Sequence, residues 1–84
     1  MTDGFRVRTL TLRPGEAIDY RAAEWSGALV IVEQGELEVE CVSGVRACFG
    51  EGSVLTFAGL ELRRLHSTGS GCLVVTGLSR EPVR

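Results

Sequence analysis

Glycine recurs in this chain at the points where short strand-like segments end, and this spacing restricts the fold more than any other feature. The 84 residues include eleven glycines, and Gly15, Gly35 and Gly52 each separate two segments of strand length. Glycine adopts positive φ without a steric penalty, so it is the residue that tight turns between strands require. A chain interrupted this often has little room for long helices, and the pattern favours an all-β fold.

The segments between these turns have the composition or the period of β-strands. Residues 36–42 alternate acidic and apolar side chains, which is typical of a strand with one buried and one solvated face. Residues 28–33 contain a continuous apolar run that ends at Glu33, which predicts a strand buried on both faces. Residues 21–25 fit a single helical turn. Strands are predicted at residues 6–12, 17–22, 28–33, 36–42, 45–49, 53–57, 62–66 and 72–78.

A chain of this length predicts one domain, residues 1–84, with a core from about residue 6 to residue 78 and a frayed tail at 79–84. A domain this small buries only a modest fraction of its surface when it folds alone, and pairing with a second copy buries more. We therefore expect a homodimer. If Ala28, Val30 and Val32 face the interior, Leu29 and Ile31 need another cover. A second subunit or the first strand could supply it.

Charge and hydropathy exclude several classes of partner. The net charge of −2 and pI of about 5.3 offer no broad attraction for phosphate backbones, so nucleic-acid binding is not expected. No apolar run is long enough to span a bilayer, and no basic-then-apolar leader is present, so we expect no membrane association and a cytoplasmic protein.

The three cysteines lack CxxC spacing and predict neither a zinc site nor a disulfide framework. No lysine is present for Schiff-base chemistry.

The glycine spacing resembles the two motifs of the cupin family, G(x)5HxH(x)3-4E(x)6G and G(x)5PxG(x)2H(x)3N. Gly15 and Gly35 fit the ends of the first motif, and Gly52 fits the start of the second. The resemblance covers about residues 10–75 and includes the stretch Val-Glu-Gln-Gly-Glu-Leu-Glu-Val. It implies a cupin-type double-stranded β-helix, a jelly-roll barrel, in a single domain.

The metal ligands that the resemblance implies are missing. In the first motif their positions hold Arg21, Ala23 and Ala28, and a shorter spacer would bring Ala22 and Glu24 to the histidine positions. In the second motif the proline, glycine, histidine and asparagine positions hold Ala58, Leu60, Arg63 and Ser67. Guanidinium groups repel a cation and methyl groups offer it no lone pair, so we expect no metal and no other cofactor.

Arginine in place of the metal ligands suggests a site that prefers an anion to a cation. If Arg21 and Arg63 point into the barrel, their planar guanidinium groups suit a carboxylate or a phosphate. The alternative is that both lean into solvent or pair with Glu24 or Asp19. Trp25 and Cys41 are further ligand-binding candidates, although Trp25 also suits core packing and Cys41 suits a small buried hydrophobe on the face of Leu37 and Val39.

Weak catalytic candidates are His66, Tyr20 and Glu24. His66 is the single histidine, the residue type most used for proton transfer near neutral pH. If Arg63 and Leu65 face inward, however, His66 faces outward with Arg64. Glu36, Glu38 and Glu40 are read as a solvated face, and the side on which Cys48 lies depends on the hairpin register around Gly44.

Three functions therefore stay open, and the residues do not decide whether the protein is an enzyme. The first is a metal-free cupin-like protein that binds a small organic ligand, with an anion as the favoured class. The second is a metal-independent isomerase, cyclase or lyase that uses His66, Tyr20 or Glu24. The third is a dimeric interaction module without a ligand pocket.

Overall fold

The structure, a computed structural model, describes residues 4–25 and 27–80 and is built almost entirely from antiparallel strands. The all-β prediction is confirmed, and each predicted strand has a counterpart. The elements are β1 (Phe5–Leu12), β2 (Ala17–Asp19), α1 (Ala22–Trp25), β3 (Leu29–Gln34), β4 (Leu37–Cys41), β5 (Arg46–Phe49), β6 (Val54–Thr56), β7 (Leu62–Ser67) and β8 (Leu73–Arg80).

The strands form two four-stranded sheets. The first sheet has the order β1-β8-β3-β6 and the second the order β2-β7-β4-β5. Within the described residues no ladder of strand pairs joins the sheets into a closed barrel, so the barrel expectation is replaced by two sheets. None of the helices in this part of the chain is long and apolar enough to cross a membrane.

Two predicted boundaries are wrong by more than one residue. β2 ends at Asp19 instead of residue 22, because the chain turns into the short helix α1, the helical turn that residues 21–25 indicated. β8 continues through Ser79 and Arg80, which were assigned to the tail, because both residues pair with the start of β1. The remaining tail, residues 81–84, lies outside the described residues.

The inner faces of the two sheets enclose one hydrophobic core. Val30 and Val32 lie on the inner face with Ala28, as predicted, whereas Leu29 is 44% exposed. The interpretation of residues 28–33 as buried on both faces is therefore wrong for the side that Leu29 occupies. The other buried apolar residues are Leu12, Trp25, Leu37, Val39, Phe57, Leu62, Leu65, Leu73 and Val75.

Helix α1 covers one end of this core with Trp25, of which 2% is exposed. A Cβ atom at Gly77 in β8 would lie 2.8 Å from Cζ3 of Trp25, so only glycine leaves room for the indole ring. The ring also meets Phe57 edge-on, with centroids 6.3 Å apart. Trp25 is thus a core residue, which was one of the alternatives for it.

The glycine turns have the conformation that the sequence indicated. Gly15, Gly35 and Gly52 all have positive φ. Gly35 is the most restricted, because a Cβ atom there would lie 2.5 Å from the carbonyl oxygen of Cys72 and 3.0 Å from the Cα atom of Leu73. The turn between β3 and β4 is thereby packed against the backbone that enters β8.

We expect Gly35→Ala to destabilise the fold more than Gly44→Ala. Gly44 also has positive φ, but a Cβ atom there would meet nothing within 4 Å. Gly44→Ala should cost about 1 kcal/mol through φ strain, and Gly35→Ala a further 1–3 kcal/mol, roughly, through the clash. Urea unfolding measures both, and equal losses would contradict the packing at Gly35.

Candidate functional site

Three chemically active side chains lie in one row on the outer face of the second sheet. In the strand register, Glu38 of β4 pairs with Cys48 of β5 on one side and with His66 of β7 on the other. His66 Nδ1 lies 3.2 Å from Glu38 Oε1, and the Cys48 thiol donates to Glu38 Oε2 at 3.9 Å. Val39 and Leu65, at the alternate positions, are buried. The predicted outward orientation of His66 is confirmed, and Cys48 lies on the same face.

The row has the groups of an acid–base site but lacks its enclosure. The carboxylate orients the imidazole, as it would in proton transfer. The His66 side chain is nevertheless 35% exposed, and Cys48 is exposed on an edge strand. Enzyme sites bury most of the substrate in a cleft. The face formed by these three residues is that of an open sheet.

Arg63 lies on the surface, which agrees with the alternative in which it leans into solvent. β4 and β7 shift register between Glu40 and Cys41, so that Glu40 pairs with Arg64 and Cys41 with Leu62. The extra residue reverses the alternation, and Leu62 takes the inward place. The Arg63 side chain is 59% exposed, with its Nη1 3.9 Å from Glu40 Oε2.

The acidic row of β4 is less solvated than predicted. Glu36 is exposed, but Glu38 and Glu40 are half-buried beneath their partners His66 and Arg63. Opposite charges on neighbouring strands stabilise a sheet, so Glu40 contributes to strand pairing through Arg63, and Glu38 contributes through its contact with His66.

Arg21 is also exposed, at the start of the turn into α1. Ala23 is exposed as well, whereas Ala28 is buried in the core. The three positions at which the first motif would have ligands therefore lie in different environments. The alternative in which both arginines lean outward agrees with this geometry, although Arg63 pairs with Glu40 and neither Glu24 nor Asp19.

The remaining candidates pack or pair locally. The Tyr20 ring meets Phe57 edge-on at a centroid distance of 5.6 Å, and desolvation raises the pKa of its phenol above the ordinary 10.0. Cys41 is half-buried against the core, close to its predicted role. Glu24 pairs with Arg8, whose Nη1 lies 3.5 Å from Glu24 Oε1. None of these contacts joins Tyr20, Glu24 and His66 in one place.

An open cleft of about 470 Å³ lies among the β3–β4, β5–β6 and β7–β8 connections and contains none of the candidate residues. Its only charged side chains are the carboxylates of Glu36 and Glu51, which disfavour an anion. The sequence signal was the pair of glycine clusters at 50–52 and 69–71, interpreted only as turns. The lining residues are Gly35, Glu36, Gly50, Glu51, Thr68, Gly69, Ser70 and Gly71.

Two buried polar atoms were also missed. Ser67, at the position that the second motif gives to asparagine, is fully buried, and its Oγ makes no hydrogen bond within the described residues. The Nε atom of Arg8, on the inner side of β1, is also buried without a hydrogen bond among the described residues. In residues 4–25 and 27–80 no three His, Cys, Asp or Glu side chains are grouped to hold a metal ion.

Alanine substitutions at adjacent positions 62 and 63 test the reversed alternation. We expect Leu62→Ala to cost about 2–4 kcal/mol of unfolding free energy, because it opens a cavity in the core. Arg63→Ala should cost less than about 1 kcal/mol, because a surface ion pair contributes little. Urea unfolding of both variants measures the difference. A larger loss at Arg63 would place its side chain inside.

Tyr20 is the single tyrosine, so its ionisation can be followed directly. Burial disfavours the phenolate, so the folded protein should titrate above 10.0 and the urea-unfolded chain at its ordinary value. This contribution to stability is complete below pH 10 and disappears as the pH rises through the folded pKa. Phenolate absorbance measures both midpoints, and a folded midpoint no higher than the unfolded one would refute the burial of the hydroxyl.

Comparison with known proteins adds no assignment: no protein-family model matches the sequence, and no curated protein matches it.

Proposed function

We propose that the chain is a small jelly-roll domain of the cupin type that acts through its surface, as an interaction module, and does not enclose a ligand. The strand pairing supports the fold proposal. β1 pairs with β8, β2 with β7, β3 with β6 and β4 with β5. Nested pairing of this kind is that of one long antiparallel hairpin rolled into two sheets, the arrangement of a jelly roll.

The observation that carries the functional proposal is the filled interior. Small-molecule sites in proteins are cavities or clefts of about 300–1,000 Å³ with a few polar groups directed into them. Here the space between the sheets is occupied by the chain's own side chains, and both arginines point away from it. The largest fully buried side chains are Trp25, Leu37, Leu65, Leu73, Val30, Val32 and Val75.

Binding of an anionic ligand is less well supported. Arg63 is engaged with Glu40, and the open cleft of about 470 Å³ carries two carboxylates.

The enzyme alternative is favoured by one observation, the 3.2 Å contact between His66 and Glu38. Its other candidates are separated from that pair, because Glu24 pairs with Arg8 and Tyr20 packs on Phe57.

A screen of metals and anions tests the proposal. The wild-type protein, prepared without a chelating tag, should contain no stoichiometric iron, zinc, nickel or manganese. Carboxylates, phosphates and sulfate should leave its thermal midpoint unchanged, whereas a ligand at one hundred times its dissociation constant would add about 2.7 kcal/mol.

Arg21→Met and Arg63→Met are the matched variants for this screen. Both side chains are exposed, so each variant should fold with nearly wild-type stability. Saturable stabilisation of the wild type by an anion that either variant abolishes would replace the interaction module with an anion receptor.

A further inference from the structure

The outer face of the first sheet is uncharged over almost its whole extent. Leu10 pairs with Val75 and Val30 with Gly77 on the inner side, so the alternate residues point outward. This outer face is formed by Phe5, Val7, Thr9, Thr11, Val74, Thr76, Leu78, Leu29, Ile31, Val54 and Thr56, with Arg80 at the end of β8.

The outer face of the second sheet, by contrast, is charged and solvated. One row across its outer side reads Asp19, Arg64, Glu40 and Arg46, so that opposite charges alternate between neighbouring strands. Antiparallel sheets commonly keep one such polar face toward water. The first sheet instead presents apolar and threonine side chains there, which indicates that something covers it.

The exposed residues form one continuous patch. Phe5, Val7, Leu29 and Val54 are all strongly exposed and lie on three strands of the same sheet. Single exposed apolar residues are ordinary, but continuous patches of this kind mark interaction surfaces.

The size of the patch suits a modest interface. Strands of eight, eight, six and three residues, at about 3.3 Å per residue and 4.8 Å between strands, give a projected area of roughly 400 Å². This is about half of the roughly 800 Å² that each partner buries in a standard interface, which corresponds to a small interface and a weak dimer.

We propose that this outer face binds the same face of a second copy of the chain in a two-fold symmetric dimer. The inference rests on the proposed function, because it identifies the surface and the partner through which the interaction module acts. A face without charge at its centre can pack on its own copy without burying like charges against each other. Two twisted sheets pack in this way about 10 Å apart.

The charged ends of the patch set the orientation. Arg80 lies at one end of β8, and Glu33 lies beside the register shift of β3 at the opposite end, near Val74. A two-fold axis that runs across the strands places the Arg80 end of one copy over the Glu33 end of the other. The same dimer covers Leu29 and Ile31, which β1 leaves open because β1 belongs to the same sheet.

Sedimentation equilibrium of the full chain tests the proposal. The wild type should show a monomer–dimer equilibrium with a dissociation constant in the micromolar range. Leu29→Glu and Val7→Glu should each raise that constant by at least about tenfold, because each buries an unpaired carboxylate at the interface. Val42→Glu is the matched control, since Val42 and Val7 are the same residue type with equal exposure of 62% and Val42 lies outside the first sheet.

Circular dichroism and the thermal midpoint of the diluted monomer show whether each variant is folded. Leu29→Thr introduces a smaller, β-branched residue that suits a strand, and it should still raise the dissociation constant several-fold if Leu29 is buried in the dimer. A folded Leu29→Thr or Val7→Glu variant that dimerises like the wild type overturns the proposal. A wild type that stays monomeric at submillimolar concentration, or a dimer lost only in Val42→Glu, does the same.

Failure of this inference can be told apart from failure of the proposed function. If the anion screen finds a ligand while Val7→Glu still dissociates the dimer, the interaction module is wrong as the main function and the interface stands. If the screen finds nothing and the wild type is monomeric, the interface is wrong, and a surface-acting module needs another partner.

Discussion

The pairing of the first strand with the last one is the constraint on which the rest of the structure depends. β1 and β8 pair over eight consecutive positions, from Phe5 with Arg80 to Leu12 with Leu73. This ladder fixes which side chains of both strands enter the core and which leave it. It also brings β8 beside β3, where Gly77 leaves room for Trp25. Because the paired segments are so far apart in sequence, the fold has few local contacts, and slow folding is expected.

Much of the fold could be predicted because strand patterns and turn chemistry are local. Gly15, Gly35 and Gly52 adopt the positive φ that their positions indicated, and the segments between them are strands. The register between strands is not local. The register shift between β4 and β7 leaves one extra residue in β7, so that Arg63 faces outward and Leu62 inward. No pattern within residues 62–66 predicts this shift.

The candidate site illustrates the same limit. The residues at the ligand positions of the two motifs can be read from the sequence, because they depend only on residue types at fixed spacing. The outward side of His66 followed from alternation, but its contact with Glu38 depends on which strand lies beside β7. The ion pair of Arg8 with Glu24 was missed for that reason, since β1 and α1 are separated along the chain and come together only when the chain folds. Residue types therefore identify the candidate side chains, whereas strand pairing decides which of them come into contact.

The function proposed for this molecule lies on its outer surface. The interior is occupied by side chains of the chain itself, and the two arginines that could have made it a receptor lie in solvent. The two outer faces differ in a way that a monomer does not require: the second sheet alternates opposite charges, and the first carries almost none. The jelly-roll arrangement proposed for this chain therefore serves as a frame that holds one flat, uncharged face in place.

The most direct test of this account is a nuclear Overhauser experiment on an equimolar mixture of isotope-labelled and unlabelled protein, filtered for contacts between molecules. A dimer formed through the outer face of the first sheet should give intermolecular contacts from the methyl groups of Val7, Leu29, Val54 and Leu78, and none from Val30 and Val32 in the core. Intermolecular contacts confined to Val42, Val45 and Leu60, or no intermolecular contact at concentrations well above the micromolar range, would contradict it.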